Sequence, residues 1–308
     1  MLKFVPITPE YGERYMQFYA ASEEKAADYT FANLWCWKDK YRYEMAFADD
    51  LCWLRHYENG RPVYNPPIGR WRRTDWEQIL RRHFPRGFSF TRVPGMLACI
   101  LSGFFEVSVC LKEERDHFEY IYSIPELIAL NGYRFRNKRK LSNQFKQYYN
   151  YIYKNVSAEL IPDIKEFQRQ WLNQPEVKKD KEHKTILAEN EAVNRMLDDW
   201  QHLPGHVFGG VLIIDNRIMA FALGERLDDD TIAVHFEKAS YAYRGAYAAI
   251  NRIMLENVGS NYRFVNREQD LGIEGLRKVK LEYNPVRFIK KYGVAAEYLS
   301  LIHISLRK

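Results

Sequence analysis

The sequence predicts a mixed α/β protein built as two halves, residues 1–130 and 131–308. Three observations lead there. The chain has 308 residues, about two domains at roughly 150 residues each. Runs that alternate with period 2 are interleaved with runs whose apolar residues recur at the helical period. Short turn signals, Asp49-Asp50, Asn59-Gly60 and Asp215-Asn216, divide neighbouring strand-like runs as hairpins require.

In the first half, residues 10–27 read as a helix and 29–38 as a second apolar-rich stretch. Residues 44–48 and 51–57 read as strands, and 62–65 follows the Asn59-Gly60 turn. Asp75 caps a helix that runs to Phe84. Residues 88–93 are strand-like, 95–105 form a short buried helix, and 106–111 and 118–123 are the last strands of this half.

The second half opens with a helix over 125–131 that runs into Gly132. Residues 127–158 contain no acidic side chain. Within them, 137–153 reads as one helix with Leu141, Phe145, Tyr148 and Ile152 on the buried face and Arg139, Asn143 and Lys146 on an exposed basic face. Helices follow over 162–171 and 189–200, around a charged stretch at 175–184. Strand 207–214 turns into 218–225, and 231–238 is the next strand. The tight loop Tyr243-Arg244-Gly245 opens a helix over 246–258. Strand 262–266, helix 273–280 and a final strand over 296–304 complete the chain. The two halves are expected to pack face to face around a shared cleft.

Composition narrows the function classes. The net charge of +6 favours a polyanionic partner, such as nucleic acid, a coenzyme phosphate or anionic lipid. No run approaches the ~18 apolar residues of a membrane-spanning helix, and the first residues lack the apolar core of a signal peptide. Cys36, Cys52, Cys99 and Cys110 show neither C-x-x-C nor metal-ligand spacing, so free, buried or partly buried thiols and a cytoplasmic location are expected. No metal cluster, nucleophile elbow or Walker loop is present in the sequence pattern.

The order hairpin, strand, basic-glycine loop, helix, strand resembles the GNAT acyltransferases. In that family the loop exposes backbone N–H groups at a helix start, where they hold pyrophosphate. Tyr243-Arg244-Gly245-Ala246-Tyr247 resembles that loop, with Ala246-Tyr247 where a second glycine would stand. A longer resemblance rests on the block from Tyr133 to Phe145, on Val234-His235-Phe236-Glu237-Lys238-Ala239, on the run Val265-Asn266-Arg267-Glu268-Gln269-Asp270 continuing to Lys278, and on Phe31-Ala32-Asn33-Leu34-Trp35 through Pro66-Pro67-Ile68-Gly69. These blocks resemble a bacterial family related to the C-terminal catalytic domain of phosphatidylglycerol lysyltransferases. The resemblance implies a tandem GNAT-like fold, also used by peptidoglycan-bridge aminoacyltransferases that take an aminoacyl group from transfer RNA.

Acyl transfer needs a deprotonated acceptor, a stabilised carbonyl oxygen and an aimed donor. Glu237 and His235 share a strand face by the period of 2, and either suits a base or an amine binder. Tyr283 stands where many GNAT enzymes keep a tyrosine acid for the leaving group. Arg244, Gly245, Ala246 and Tyr247 are the candidate donor-phosphate residues. Asn266, Arg267, Glu268 and Asp270 follow a strand on the open side of the sheet, more polar residues than a loop requires. Arg139, Asn143 and Lys146 belong to a basic stretch with seven aromatics over 133–154, a composition that binds single-stranded nucleic acid and equally makes an amphipathic helix. Arg277, Lys278 and Lys280 read as a solvated helix face.

These residues predict acyl or aminoacyl transfer to an amine or hydroxyl, with aminoacyl-tRNA or coenzyme A as donor and no tightly bound cofactor. The alternative is a non-catalytic tRNA- or nucleic-acid-binding protein on the same scaffold.

Overall fold

The computed structural model describes residues 2–104 and 109–298. Among the described residues, strands follow one another as β1 (Val5–Pro6), β2 (Glu44–Ala48), β3 (Leu51–Glu58), β4 (Arg61–Tyr64), β5 (Ile68–Gly69), β6 (Gly87–Pro94), β7 (Cys110–Glu113) and β8 (Glu119–Ser123). The chain continues through β9 (Ile152–Asn155), β10 (Val207–Ile214), β11 (Arg217–Arg226), β12 (Thr231–Ala239), β13 (Phe264–Asn266), β14 (Arg287–Ile289) and β15 (Lys291–Glu297). They form two sheets, ordered β1-β2-β3-β4-β6-β15-β7, with β5 beside β3, and β14-β8-β13-β12-β11-β10-β9.

Two strands cross between the halves. β8 lies in the second sheet between β14 and β13, and β15 lies in the first between β6 and β7. The hairpins follow from turn chemistry. Asp49, Asp50, Asn59, Gly60, Asp215 and Asn216 all have positive φ, which matches the twist of two-residue hairpin loops.

Three apolar cores account for the layering. Met45, Cys52 and Leu54 of the first sheet share a core with Val211, Phe221, Leu223 and Phe236 of the second. Helices Phe31–Cys36, Ile161–Leu172 and His183–Asp198 contribute to it. The outer face of the first sheet packs on helices Trp76–His83 and Gly95–Phe104. The outer face of the second packs on Ala246–Val258 through Ala246, Ala249, Ile250, Ile253 and Met254.

Several expectations are corrected. The helix predicted over 137–153 spans Arg136–Tyr148 and ends there. Tyr149 turns extended (φ −123°, ψ 131°), its ring and that of Tyr151 pack on Phe145 at 5.1 and 5.5 Å, and Ile152 starts strand β9. Burial of aromatic rings thus overrides the helical period. Phe145 is buried as predicted, but Tyr148 and Ile152 are exposed. Asp75 precedes its helix without capping it, because its carboxylate is taken by Arg73. The last strand begins at Lys291 rather than 296, and its predicted part over 299–304 lies outside the described residues, as does 106–108 of the strand predicted over 106–111. Cys36 and Cys52 are buried, whereas Cys99 and Cys110 are exposed free thiols. No helix among the described residues is long and apolar enough to cross a membrane.

Candidate active site

β12 and β13 run parallel for only three register pairs, Thr231 with Phe264, Ile232 with Val265 and Ala233 with Asn266. Beyond them the strands diverge. In the same stretch the ladder between β11 and β12 slips at Leu223/Gly224, with Phe236 opposite Leu223 and Val234 opposite Gly224. His235 is the extra residue of this β-bulge, a device that re-aims side chains. The bulge breaks the expected alternation. His235 lies on the inter-sheet face, with Glu225 and Phe236, and Glu237 lies on the opposite face, bonded to Asn251 of helix Ala246–Val258. The two do not share a face.

Each side chain bridges the gap between the diverging strands. On the inter-sheet face, His235 Nδ1 meets Glu268 Oε1 at 2.6 Å and Nε2 meets Glu225 Oε1 at 2.8 Å. Burial alone would lower the His235 pKa, but the two carboxylates raise it to about 10, so the ring is an imidazolium at neutral pH. On the other face, Arg267 Nη2 donates to both Glu237 oxygens at 3.2 Å. Arg267 also lies 4.7 Å from the ring centre of Tyr283, whose buried phenol is pushed up to about 12.

The inter-sheet face opens into a cavity of about 340 Å³ between the halves. Asp28, Asn33, Trp37, Lys40, Tyr41, Tyr43, Arg92 and His117 line it from the first half, with Glu182, Thr185, Glu268 and Gln269 among those from the second. Glu268 has a left-handed backbone (φ 55°), stabilised where its N–H meets Asn266 Oδ1 at 2.9 Å and its carbonyl accepts from Tyr120 at 3.2 Å. Such strain concentrates at functional sites.

A buried charge cluster lies beneath this opening. Lys291 Nζ donates to Asp28 Oδ2 and Glu119 Oε1, both at 2.6 Å, and none of the three is more than 5% exposed. Glu119 also accepts from Asn266 Nδ2 at 2.5 Å and from the backbone N–H of Ala27 at 2.9 Å. Burial works against the Asp28 charge, but Lys291 and Arg92 hold its pKa at about 2. Glu119, buried deeper and beside Asp28, is pushed upward. Gln269 donates to Asp28 Oδ1 at 2.8 Å, which ties the cluster to the loop that carries Glu268.

The predicted residues therefore separate. Glu268 lines the cavity and His235 holds it. Asn266, buried, accepts from the Glu268 N–H and donates to Glu119. Glu237, Arg267 and Tyr283 form a separate group against the outer helix. Asp270 is buried in a structural network, bonded to Tyr120, Arg115, Arg277 and the N–H of Gly272, and its pKa falls to about 2 against the effect of burial.

The loop from Tyr243 to Tyr247 does open the helix, with Gly245 in the left-handed region (φ 85°) at its N-cap. A β-carbon on Gly245 would come within 2.3 Å of the Leu141 carbonyl, so packing accounts for the glycine. Arg244 is exposed, Ala246 is buried, and the Tyr247 hydroxyl accepts from Trp171 at 3.2 Å.

Arg139, Asn143 and Lys146 hold helix Arg136–Tyr148 in place. Arg139 caps the carbonyls of Leu130 and Gly132, Asn143 accepts from Arg252, and Lys146 pairs with Glu256. Arg139 and Lys146 are half-buried, so the face is less open than expected. Lys280, read as solvated, is buried and donates to the carbonyls of Arg267 and Gln269 at 2.5 Å, and burial lowers its pKa to about 8.

Sequence reasoning missed Asp28, Arg92, Glu119, Glu225 and Lys291. A signal existed: Asp28 and Glu119 each interrupt an apolar run, Glu225 ends one, and a buried charge requires a partner.

Comparison with known proteins agrees with this architecture. The family model described as phosphatidylglycerol lysyltransferase, C-terminal, matches residues 19–295. A conserved protein of unknown function from Bacteroides thetaiotaomicron is 28% identical, with a TM-score of 0.86 over 96% of this chain and 100% of its own. The C-terminal domain assigned to a lysylphosphatidylglycerol synthetase of Agrobacterium fabrum superposes with a TM-score of 0.63 at 13% identity, over 93% of this chain and 92% of its own, which shows a shared fold. An uncharacterised protein of Mycoplasmoides gallisepticum is 24% identical over 177 residues, 57% of this chain. This chain spans about half the length of that curated relative, 55%. The fold is a mixed α/β one with two sheets, and the chain belongs to the phosphatidylglycerol lysyltransferase C-terminal family.

Proposed function

From that membership we propose that the cavity between the halves is the transfer site of an aminoacyltransferase, with aminoacyl-tRNA as donor and an amine or hydroxyl as acceptor. One observation carries the reading. Glu268 is held in a strained conformation with one oxygen fixed by the His235 imidazolium, while its side chain lines a cavity that both halves build. A carboxylate so fixed positions the ammonium of an aminoacyl group with little reorganisation. The acceptor heteroatom attacks the ester carbonyl carbon, the ester C–O bond breaks, and the released ribose hydroxyl takes up the acceptor's proton.

The Ala246 N–H at the helix start is taken by the Tyr243 carbonyl at 3.1 Å, which favours this donor over coenzyme A, whose pyrophosphate needs free N–H groups there. A tRNA donor puts the reaction in the cytoplasm, and the mechanism needs no tightly bound cofactor. The test is ligand stabilisation, because a ligand that binds only the folded state raises the melting temperature. An amino-acid amide, which mimics the ester without reacting, raises it under this reading, and coenzyme A does not. A shift with coenzyme A alone overturns the reading.

A further inference from the structure

The cavity carries a buried cation without a direct ion pair among the described residues. Arg92 is only 8% exposed and lines the cavity, yet it forms no ion pair among the described residues. Its nearest carboxylate influence, Asp28, is already occupied by Lys291 and Gln269. The Arg92 backbone is left-handed (φ 56°). Its N–H donates to Glu114 Oε2 at 2.7 Å, and its carbonyl accepts from the Tyr29 hydroxyl at 2.9 Å. The guanidinium, 5.5 Å from the ring centre of Tyr41, is thus held at a place where burial costs free energy and where the charge of Asp28 acts on it without a direct ion pair.

The two halves supply opposite charge. The first brings Arg92 and the exposed Lys40, and its one carboxylate, Asp28, is paired directly with Lys291. The second brings Glu268, with one oxygen left over from His235, and Glu182. A cavity of about 340 Å³ has room for an amino acid, and its lining carries both cationic and anionic side chains.

Building on the aminoacyltransferase reading, we propose that the transferred residue has a carboxylate side chain, an aspartyl or glutamyl group, whose α-ammonium meets Glu268 and whose side-chain carboxylate meets the Arg92 fork. A guanidinium binds a carboxylate bidentately, which a lysyl or alkyl side chain cannot exploit.

The test compares two amides at matched concentration by calorimetry and thermal shift: glutamate α-amide, which keeps the side-chain carboxylate, and lysinamide. The expected result is at least about tenfold tighter binding of the glutamate amide, the order of one desolvated charge pair. Arg92→Gln should abolish the preference. Arg92→Lys, which keeps the charge but loses the fork, should retain part of it and serves if the glutamine variant melts too low to assay. Equal or tighter binding of lysinamide overturns the acidic specificity and leaves the aminoacyl reading standing. No binding of either amide, with coenzyme A binding instead, overturns both.

Discussion

The two faces of the diverging strands β12 and β13 invite comparison, because the same backbone builds an ion pair on each. On the inter-sheet face, His235 and Glu268 meet at the wall of a cavity. On the outer face, Glu237 and Arg267 meet beneath a helix, stacked on Tyr283 and bonded to Asn251. One bulged residue separates them. The difference teaches that a strand's chemistry depends on the covering layer: a helix turns a charge pair into scaffold, and a second half-domain leaves one open to a ligand.

The cavity floor gives the largest expected effect. Lys291→Met leaves Asp28 and Glu119 facing each other without the ammonium that bridges them. Breaking such a buried pair costs about 3–5 kcal/mol, measurable by urea unfolding. Glu119, already pushed upward, is the carboxylate expected to take up a proton.

Gly245→Val comes next. Destabilisation is expected, because φ is 85° and a β-carbon would lie 2.3 Å from the Leu141 carbonyl. A loss of at least about 1–3 kcal/mol is expected from the backbone strain, visible as a lowered melting temperature without ligand.

The faces themselves are separated by Glu268→Gln and Glu237→Gln. Aminoacyl-amide affinity should fall in the first and hold in the second. The reverse outcome would move the site to the helix-covered face.

A pH titration sharpens the contrast. The folded-state pKa of His235 is raised from 6.5 to about 10. Its stabilising contribution is therefore complete below about pH 6.5 and is lost as pH rises through about 10. His235→Gln should flatten the decline in stability across that window. The smallest effect belongs to the exposed Arg244. Arg244→Ala should shift stability by no more than about 0.5 kcal/mol and leave amide binding unchanged.

Local structure was legible in the sequence where turn chemistry and periodicity agree. β10, the helix Ala246–Val258 and the hairpin turns match their predicted bounds because Asp215-Asn216 and the inward alanines leave little alternative. Glu268 was legible as one of a polar group after a strand, and His235 by its place in β12. Their grouping was not. Period 2 put His235 with Glu237, and a bulge leaves no mark in composition. Arg92 and Lys291 were invisible because burial of a lone basic residue depends on partners up to 263 positions away, as Lys291 and Asp28 are.

The crossing strands carry a further consequence, for how the molecule is made. β15 supplies the neighbour of both β6 and β7, so the first sheet is incomplete until residue 291 onward has been synthesised. A nascent chain leaving the ribosome holds the unpaired edge of β6 open while the entire second sheet is produced. Closing that long a loop is slow, and an open edge templates aggregation. Chaperone dependence during synthesis is therefore expected to fall on the first half, although the second emerges last.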